Sequence, residues 1–214
     1  MQRGLIFDLD GVLSDTAELH YRSWRRLARE LGLEFDRAAN EALLGRSREE
    51  ALELFLAGRP TDEDREELLR RKNGYFLESL AEFGTGDLAP GVLELLDAAS
   101  LRGLSLGLAS SSRNAKLVCQ KLGILDRFEA VADGCSGLRP KPEPDIFLWV
   151  AGALGLPPAC CTVIEDARAG VEAARRGGFR VVGVGPAERV GEADLVVGGL
   201  AGLDLDRLLG AGSR

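Results

Sequence analysis

From Gly84 onward, short apolar runs alternate with stretches of helical periodicity, and several runs stop at a cluster of polar residues. Residues 104–108, 128–132, 162–164 and 180–184 read as buried strands, and 195–197 as a short edge strand. Residues 92–102, 114–122, 144–154, 169–177 and 203–209 read as the helices among them. Strands joined through helices run parallel, and a parallel sheet needs helices on both faces. Gly4-Leu-Ile-Phe7 supplies one more strand at the start. Between that strand and residue 84 the pattern is helical throughout: 16–31, stopped at Gly32, then 36–44, 47–56 and 61–83, the last opened by a capping-box-like Thr61-Asp-Glu-Asp64. The expected fold is therefore α/β, a parallel sheet with an all-helical block inserted after its first strand.

Composition narrows the partners. The 214 residues, 45% of them apolar, can fill one large domain or one domain with a smaller insertion. The net charge is −7. The arginines of the helical block are interspersed with as many acids, which makes a solvated surface and no basic face for nucleic acid. No apolar run approaches the roughly 18 residues that span a bilayer, and residues 1–13 carry no signal-peptide pattern. A cytoplasmic protein without a membrane partner, acting as a monomer, is expected. Cys119, Cys135, Cys160 and Cys161 form no CxxC pair, and the chain has one histidine, which argues against zinc and for reduced thiols.

In open α/β sheets ligands sit beyond the carboxyl ends of the strands. The residues there are Asp8-Leu-Asp10-Gly11, Ser110-Ser111-Ser112-Arg113-Asn114 and Glu165-Asp166, with Lys141 in a proline-rich loop between strands. Each suits a phosphate site. Asp8 and Asp166 offer hard oxygen ligands to a divalent cation such as Mg²⁺, and an aspartate can attack phosphorus and form an acyl phosphate. Amides ahead of a helix favour an anion, Lys141 neutralises charge, and Asp10, swung clear in the turn, suits general acid–base work. Singly these features read as a turn, an N-cap, a solvated helix start and an exposed lysine; their joint placement carries the argument. A calcium-loop reading of Asp8–Gly11 fails on the glycine position, and neither a dinucleotide fingerprint nor a P-loop is present.

These residues resemble the four motifs of the haloacid dehalogenase superfamily: Phe7-Asp-Leu-Asp-Gly11, Ser110, Lys141 and Glu165-Asp166. The resemblance covers nearly the whole chain. It implies a Rossmann-like core over 1–14 and 85–214 and a small α-helical cap over 15–84. Within the superfamily the cap is most similar to the β-phosphoglucomutase family, through the run from Leu9 to His20, Trp24, Leu44-Gly-Arg-Ser-Arg-Glu49 and Arg71-Lys-Asn73. Lys141-Pro-Glu-Pro-Asp-Ile-Phe147 and Glu165-Asp-Ala-Arg-Ala-Gly170 continue the likeness in register.

That likeness implies roles. Asp8 is the nucleophile. Asp10 gives and takes the sugar's proton, and its carbonyl binds Mg²⁺. Glu165 and Asp166 complete the metal site, and Ser110 and Lys141 hold the transferring phosphoryl group, with Ser111, Ser112, Arg113 and Asn114 around it. Gly45, Ser47 and Arg48 form a cap turn whose arginine binds the other phosphate. Thr16, His20, Trp24 and Lys72 position the sugar and Asp10. The implied reaction interconverts β-D-glucose 1-phosphate and glucose 6-phosphate through the 1,6-bisphosphate. The rival readings are a phosphatase of the same fold, acting on a small phosphosugar or phosphoglycolate, and a non-catalytic phosphometabolite sensor. The chain departs from the family pattern at Arg46, Arg113, Arg139-Pro140 and Pro186, changes that bear on the sugar pocket and on the stiffness of the Lys141 loop.

Overall fold

The computed structural model describes residues 2–59 and 63–210. A six-stranded, wholly parallel sheet is formed by β1 (Gly4–Phe7), β2 (Ser105–Ala109), β3 (Ala130–Ala132), β4 (Cys161–Glu165), β5 (Arg180–Val184) and β6 (Leu195–Val197). Its order is β3-β2-β1-β4-β5-β6. The chain thus winds outward from β1 in both directions, and the switch point lies between β1 and β4.

Side chains alternate across the strands, so each strand feeds two cores. Leu5 and Phe7 of β1, Ile164 of β4 and Val182 of β5 join one apolar cluster with α5 (Val92–Leu101), α6 (Ala115–Lys121) and α10 (Leu205–Leu208). Ile6, Val163 and Val181 face the other way, onto α7 (Asp145–Ala153) and α8 (Arg168–Arg176). Burial on both faces explains why the strands read as continuous apolar runs.

Between β1 and β2 lie α1 (Thr16–Glu30), α2 (Arg37–Glu41), α3 (Arg48–Leu56) and α4 (Arg65–Ser79), with a separate core of Trp24, Leu27, Leu43, Leu52, Phe55 and Leu68. α1 and α4 pack on each other, and Phe76 and Leu80 at the far end of α4 enter the first core of the sheet.

The elements fall where the sequence places them, with boundaries shifted. The expected helix over 36–44 stops at Glu41, because the chain turns through Leu43 and Leu44 to reach Gly45, which has φ +71°. The helix expected from Thr61 begins at Arg65, capped by the Asp64 carboxylate accepting from the Glu66 amide at 3.4 Å; Thr61 itself lies outside the described residues. A full capping box occurs instead at Ser47, whose hydroxyl accepts from the Glu50 amide while the Glu50 carboxylate accepts from the Ser47 amide. The single-turn helix α9 (Ala187–Val190) is too short to show a periodicity. Among the described residues no helix is long and apolar enough to cross a membrane.

Candidate active site

At the end of β1 the chain leaves the sheet through Asp8, whose amide donates to the Ile164 carbonyl of β4 at 2.9 Å. Behind Asp8 stands Lys141, with no solvent exposure at all. Its Nζ donates to Asp8 Oδ1 at 2.6 Å, to Glu165 Oε2 at 3.0 Å and to the Ala109 carbonyl at 3.2 Å, which uses all three of its donors. Burial alone would depress the lysine's pKa, but the carboxylates of Asp8 and Glu165 outweigh it and hold the pKa above its ordinary value. The proline-stiffened loop does not displace this lysine: Arg139 forks onto Asp145 at 2.8 and 2.9 Å and ties the loop to the start of α7.

Negative charge exceeds positive in this pocket. Asp8, Glu165 and Asp166 each place a carboxylate oxygen within 4.8 Å of the others. Burial and the charge on Asp8 push Glu165 up to about 7. Burial, and then Glu165, push Asp166 well above the usual carboxylate range. One ammonium therefore leaves the cluster of carboxylates under-compensated. The donors are all hard oxygens, the set that a divalent cation such as Mg²⁺ prefers. The close approach needs glycine at position 11, where φ is +80° and a Cβ would stand 2.2 Å from Asp166 Oδ2.

Asp10 turns toward the cap. Its Oδ1 accepts from the Thr16 hydroxyl at 2.5 Å and lies 3.6 Å from His20 Nε2. Burial, and then the charge on Asp8, raise its pKa to about 6. His20 stacks on Phe76 with ring centroids 4.1 Å apart, and its Nδ1 lies 2.5 Å from Lys72 Nζ. Burial, and then the charges of Lys72 and Arg48, hold His20 well below its ordinary pKa. Lys72 is only 7% exposed and sits 5.2 Å over the Trp24 ring; burial lowers its pKa to about 7.

A single cavity joins these walls. Asp8, Asp10 and Asp166 line it from the core, and His20, Trp24, Gly45, Arg48 and Lys72 from the cap. The added Arg46 lines it too. Arg48 donates to Asn73 Oδ1 at 3.3 Å and, among the described residues, has no carboxylate within ion-pair distance. Its near neighbour Glu49 pairs with Arg113 across the cap–core boundary at 2.6 Å. Ser111 donates to the Gly45 carbonyl at 2.8 Å, and Asn114 Nδ2 to Asn73 Oδ1 at 2.9 Å. These bonds hold the cap closed on the strand ends.

Three positions sit differently from the rest. Ser110 is fully buried and accepts from the Ser112 amide at 3.1 Å; with Ser47 and Lys141 it lines an adjoining crevice and not the main cavity. The Ser47 hydroxyl is committed to the capping box of α3. Of the loop amides expected to cradle an anion, those of Ser110, Ser112 and Asn114 already have acceptors within the protein. Two further residues belong to the site: Asn73, which lies in the Arg71-Lys-Asn73 stretch but was given no role there, and Arg189. Asn73 links Arg48 to Asn114, and its signal was its place beside Lys72. Arg189 reaches Asp166 Oδ2 at 3.8 Å from α9, and no motif marks it.

Comparison with known proteins agrees with this geometry. The haloacid dehalogenase-like hydrolase family model matches residues 2–178. The chain is 42% identical to a β-phosphoglucomutase of Bacillus subtilis, over 96% of this chain and 93% of that one. It superposes on the crystal structure of a β-phosphoglucomutase of Clostridium difficile with a TM-score of 0.91, at 37% identity over 97% of this chain and 95% of that one. It is also 32% identical to a fructose-1-phosphate phosphatase of Escherichia coli, over 85% of this chain and 95% of that one.

Proposed function

The chain belongs to the haloacid dehalogenase-like hydrolase family, and from that premise we propose that it is a β-phosphoglucomutase, passing a phosphoryl group through Asp8 between β-D-glucose 1-phosphate and glucose 6-phosphate by way of the 1,6-bisphosphate. The observation that carries this reading is positive charge on both sides of Asp8: Lys141 is bonded to it from behind, outside the cavity, and Arg48 and Lys72 line the cavity from the cap. A mutase must grip one phosphate for transfer and another as a handle. A phosphatase needs the first grip alone. We take residues 15–84 as the cap that brings the second.

Asp8 attacks phosphorus, and the bond to the sugar oxygen breaks as Asp10 delivers its proton to that oxygen. In the return half the free 6-hydroxyl of β-D-glucose 1-phosphate attacks the aspartyl phosphate and Asp10 takes its proton, which forms the 1,6-bisphosphate; attack of Asp8 on that molecule's C1 phosphate then releases glucose 6-phosphate. A pKa of about 6 suits Asp10 to both directions near neutrality. Thr16 and His20 hold it in place. Asp8, Asp166 and the main-chain carbonyl of Asp10 are the residues that would hold Mg²⁺, with Glu165 fixing Lys141 beside them. When bound, Mg²⁺ supplies positive charge to the phosphoryl oxygens. Lys141 adds a fixed charge in a dry site, where electrostatic stabilisation is strongest. Closure of the cap keeps water from the aspartyl phosphate, so the group passes to sugar.

Arg48→Ala tests the second grip. Mutase activity is expected to fall by at least about 100-fold, the scale of losing a charge-assisted contact of about 3 kcal/mol. Slow hydrolysis of the sugar phosphate is expected to persist. Mutase activity at the native level in this variant would remove the cap from the reaction.

Lys72 gives a pH prediction. Burial lowers its pKa to about 7, so its charge is present below that pH and lost above it. A lysine that grips the distal phosphate then makes kcat/KM fall as pH rises through 7. Lys72→Met is expected to be weak at every pH and to lack that limb. A profile of unchanged shape in the variant would free Lys72 of this role.

The similarity to a fructose-1-phosphate phosphatase supports a second reading, hydrolysis of a small phosphosugar on the same core.

A further inference from the structure

Arg189 lies on α9, the single turn that Pro186 begins after β5. Its position is built. Its amide donates to the Pro186 carbonyl at 3.0 Å, and Arg168 of α8 donates to the Glu188 carbonyl at 2.9 Å, tying the turn to the helix that follows Asp166. Gly185 has φ +120°, and a Cβ there would stand 2.9 Å from Arg189 Nη2, so the preceding residue leaves room for the guanidinium. From this place Nη2 reaches Asp166 Oδ2 at 3.8 Å, while Nη1 lies 3.4 Å from both carboxylate oxygens of Glu41 on α2 of the cap. Nε is buried without a hydrogen-bond acceptor. Charge-assisted bonds are ordinarily about 2.7–2.9 Å long. The guanidinium therefore hangs between a carboxylate of the core and one of the cap, fully bonded to neither.

We infer that Arg189 is a positioning residue that couples closure of the cap to cation binding at Asp8 and Asp166. The inference rests on the reading of those carboxylates as a cation site. A guanidinium beside Asp166 competes with a divalent cation for the same oxygen. Glu41, brought in with the closed cap, neutralises the guanidinium and draws it away from Asp166. The closed protein then binds the cation more tightly than the open one, and by linkage the cation favours the closed cap to the same degree. Neither Arg189 nor Glu41 belongs to a motif, and the pair turns a contact between α2 and α9 into a signal at Asp166.

The test is titration of Mg²⁺ into the purified protein by calorimetry, for the native chain, Arg189→Gln, Glu41→Gln, the double variant and Arg189→Lys. Arg189→Gln is expected to bind Mg²⁺ about 3-fold more tightly, and Glu41→Gln about 3-fold more weakly, the scale of a partly exposed ion pair. In the Arg189→Gln background the Glu41 change is expected to have no further effect. Arg189→Lys keeps the charge and stays near the native affinity. Weaker binding by Arg189→Gln overturns the inference, as does a Glu41 effect that is absent or equal in both backgrounds. A native chain that binds Mg²⁺ while every variant matches it overturns the coupling alone. A native chain that binds no Mg²⁺ overturns the cation site beneath it.

Discussion

Asp8→Asn is expected to lower turnover by at least about 10⁴-fold, the scale seen when one member of a catalytic set is removed. The amide is nearly the shape of the carboxylate, and its oxygen still accepts from Lys141. What it loses is nucleophilicity, so the aspartyl phosphate cannot form. Mass spectrometry of protein mixed with the bisphosphate is expected to find phosphorylated Asp8 in the native chain and none in the variant. Binding of the sugar phosphate is expected to survive, because Arg48 and Lys72 lie on the opposite wall. Turnover near the native rate in Asp8→Asn would mean that water or another group attacks phosphorus.

Lys141→Met is expected to have the largest effect on stability. The lysine is fully buried and contacts two carboxylates, one of them, Glu165, equally buried. Removing one partner of a buried ion pair costs about 3–5 kcal/mol, because the remaining charge is left uncompensated. Methionine fills most of the volume, so cavity formation adds little. Denaturant unfolding in a chelator measures the loss. Mg²⁺ is expected to return part of it, since a ligand that binds the folded state stabilises that state. An unchanged unfolding midpoint would show that the carboxylates are neutralised without this lysine. Activity is expected to be lost in the variant whether or not stability is restored.

The core half of the site was legible because its signals are local. A short buried strand ending in acids can be read from a few adjacent residues, and so can a serine run ahead of a helix. The sheet order then brings Asp8, Lys141, Glu165 and Asp166 to one point. The cap half needed more. Lys72 stands in the run Arg70-Arg-Lys72, which reads as a solvated face. In the helix it shares a face with Leu68 and Phe76, four residues to either side, and that face is the buried one. The spacing was present in the sequence, but it was the resemblance that marked Lys72 for the site, because the charged run alone fits a solvated face equally well. Asn73 stood in the Arg71-Lys-Asn73 stretch with no role assigned to it, and Arg189 stood in no motif. Each acts through partners at long separation, Asn73 with Arg48 and Asn114, Arg189 with Glu41 and Asp166. Such contacts exist only once the cap lies on the strand ends, and no periodicity encodes them. Ser47 shows the opposite case. Its place in the cap turn suggested a ligand, whereas its hydroxyl starts a helix.

A phosphoryl group leaving Asp8 goes to sugar and not to water. The direct measurement mixes the purified protein with Mg²⁺, β-D-glucose 1-phosphate and a trace of the 1,6-bisphosphate, and follows glucose 6-phosphate and free phosphate in the same tube. Rapid formation of glucose 6-phosphate with little free phosphate is the result expected when Arg48 and Lys72 hold a second phosphate opposite Asp8 and the cap is closed. Free phosphate as the main product would contradict it and make the protein a phosphatase.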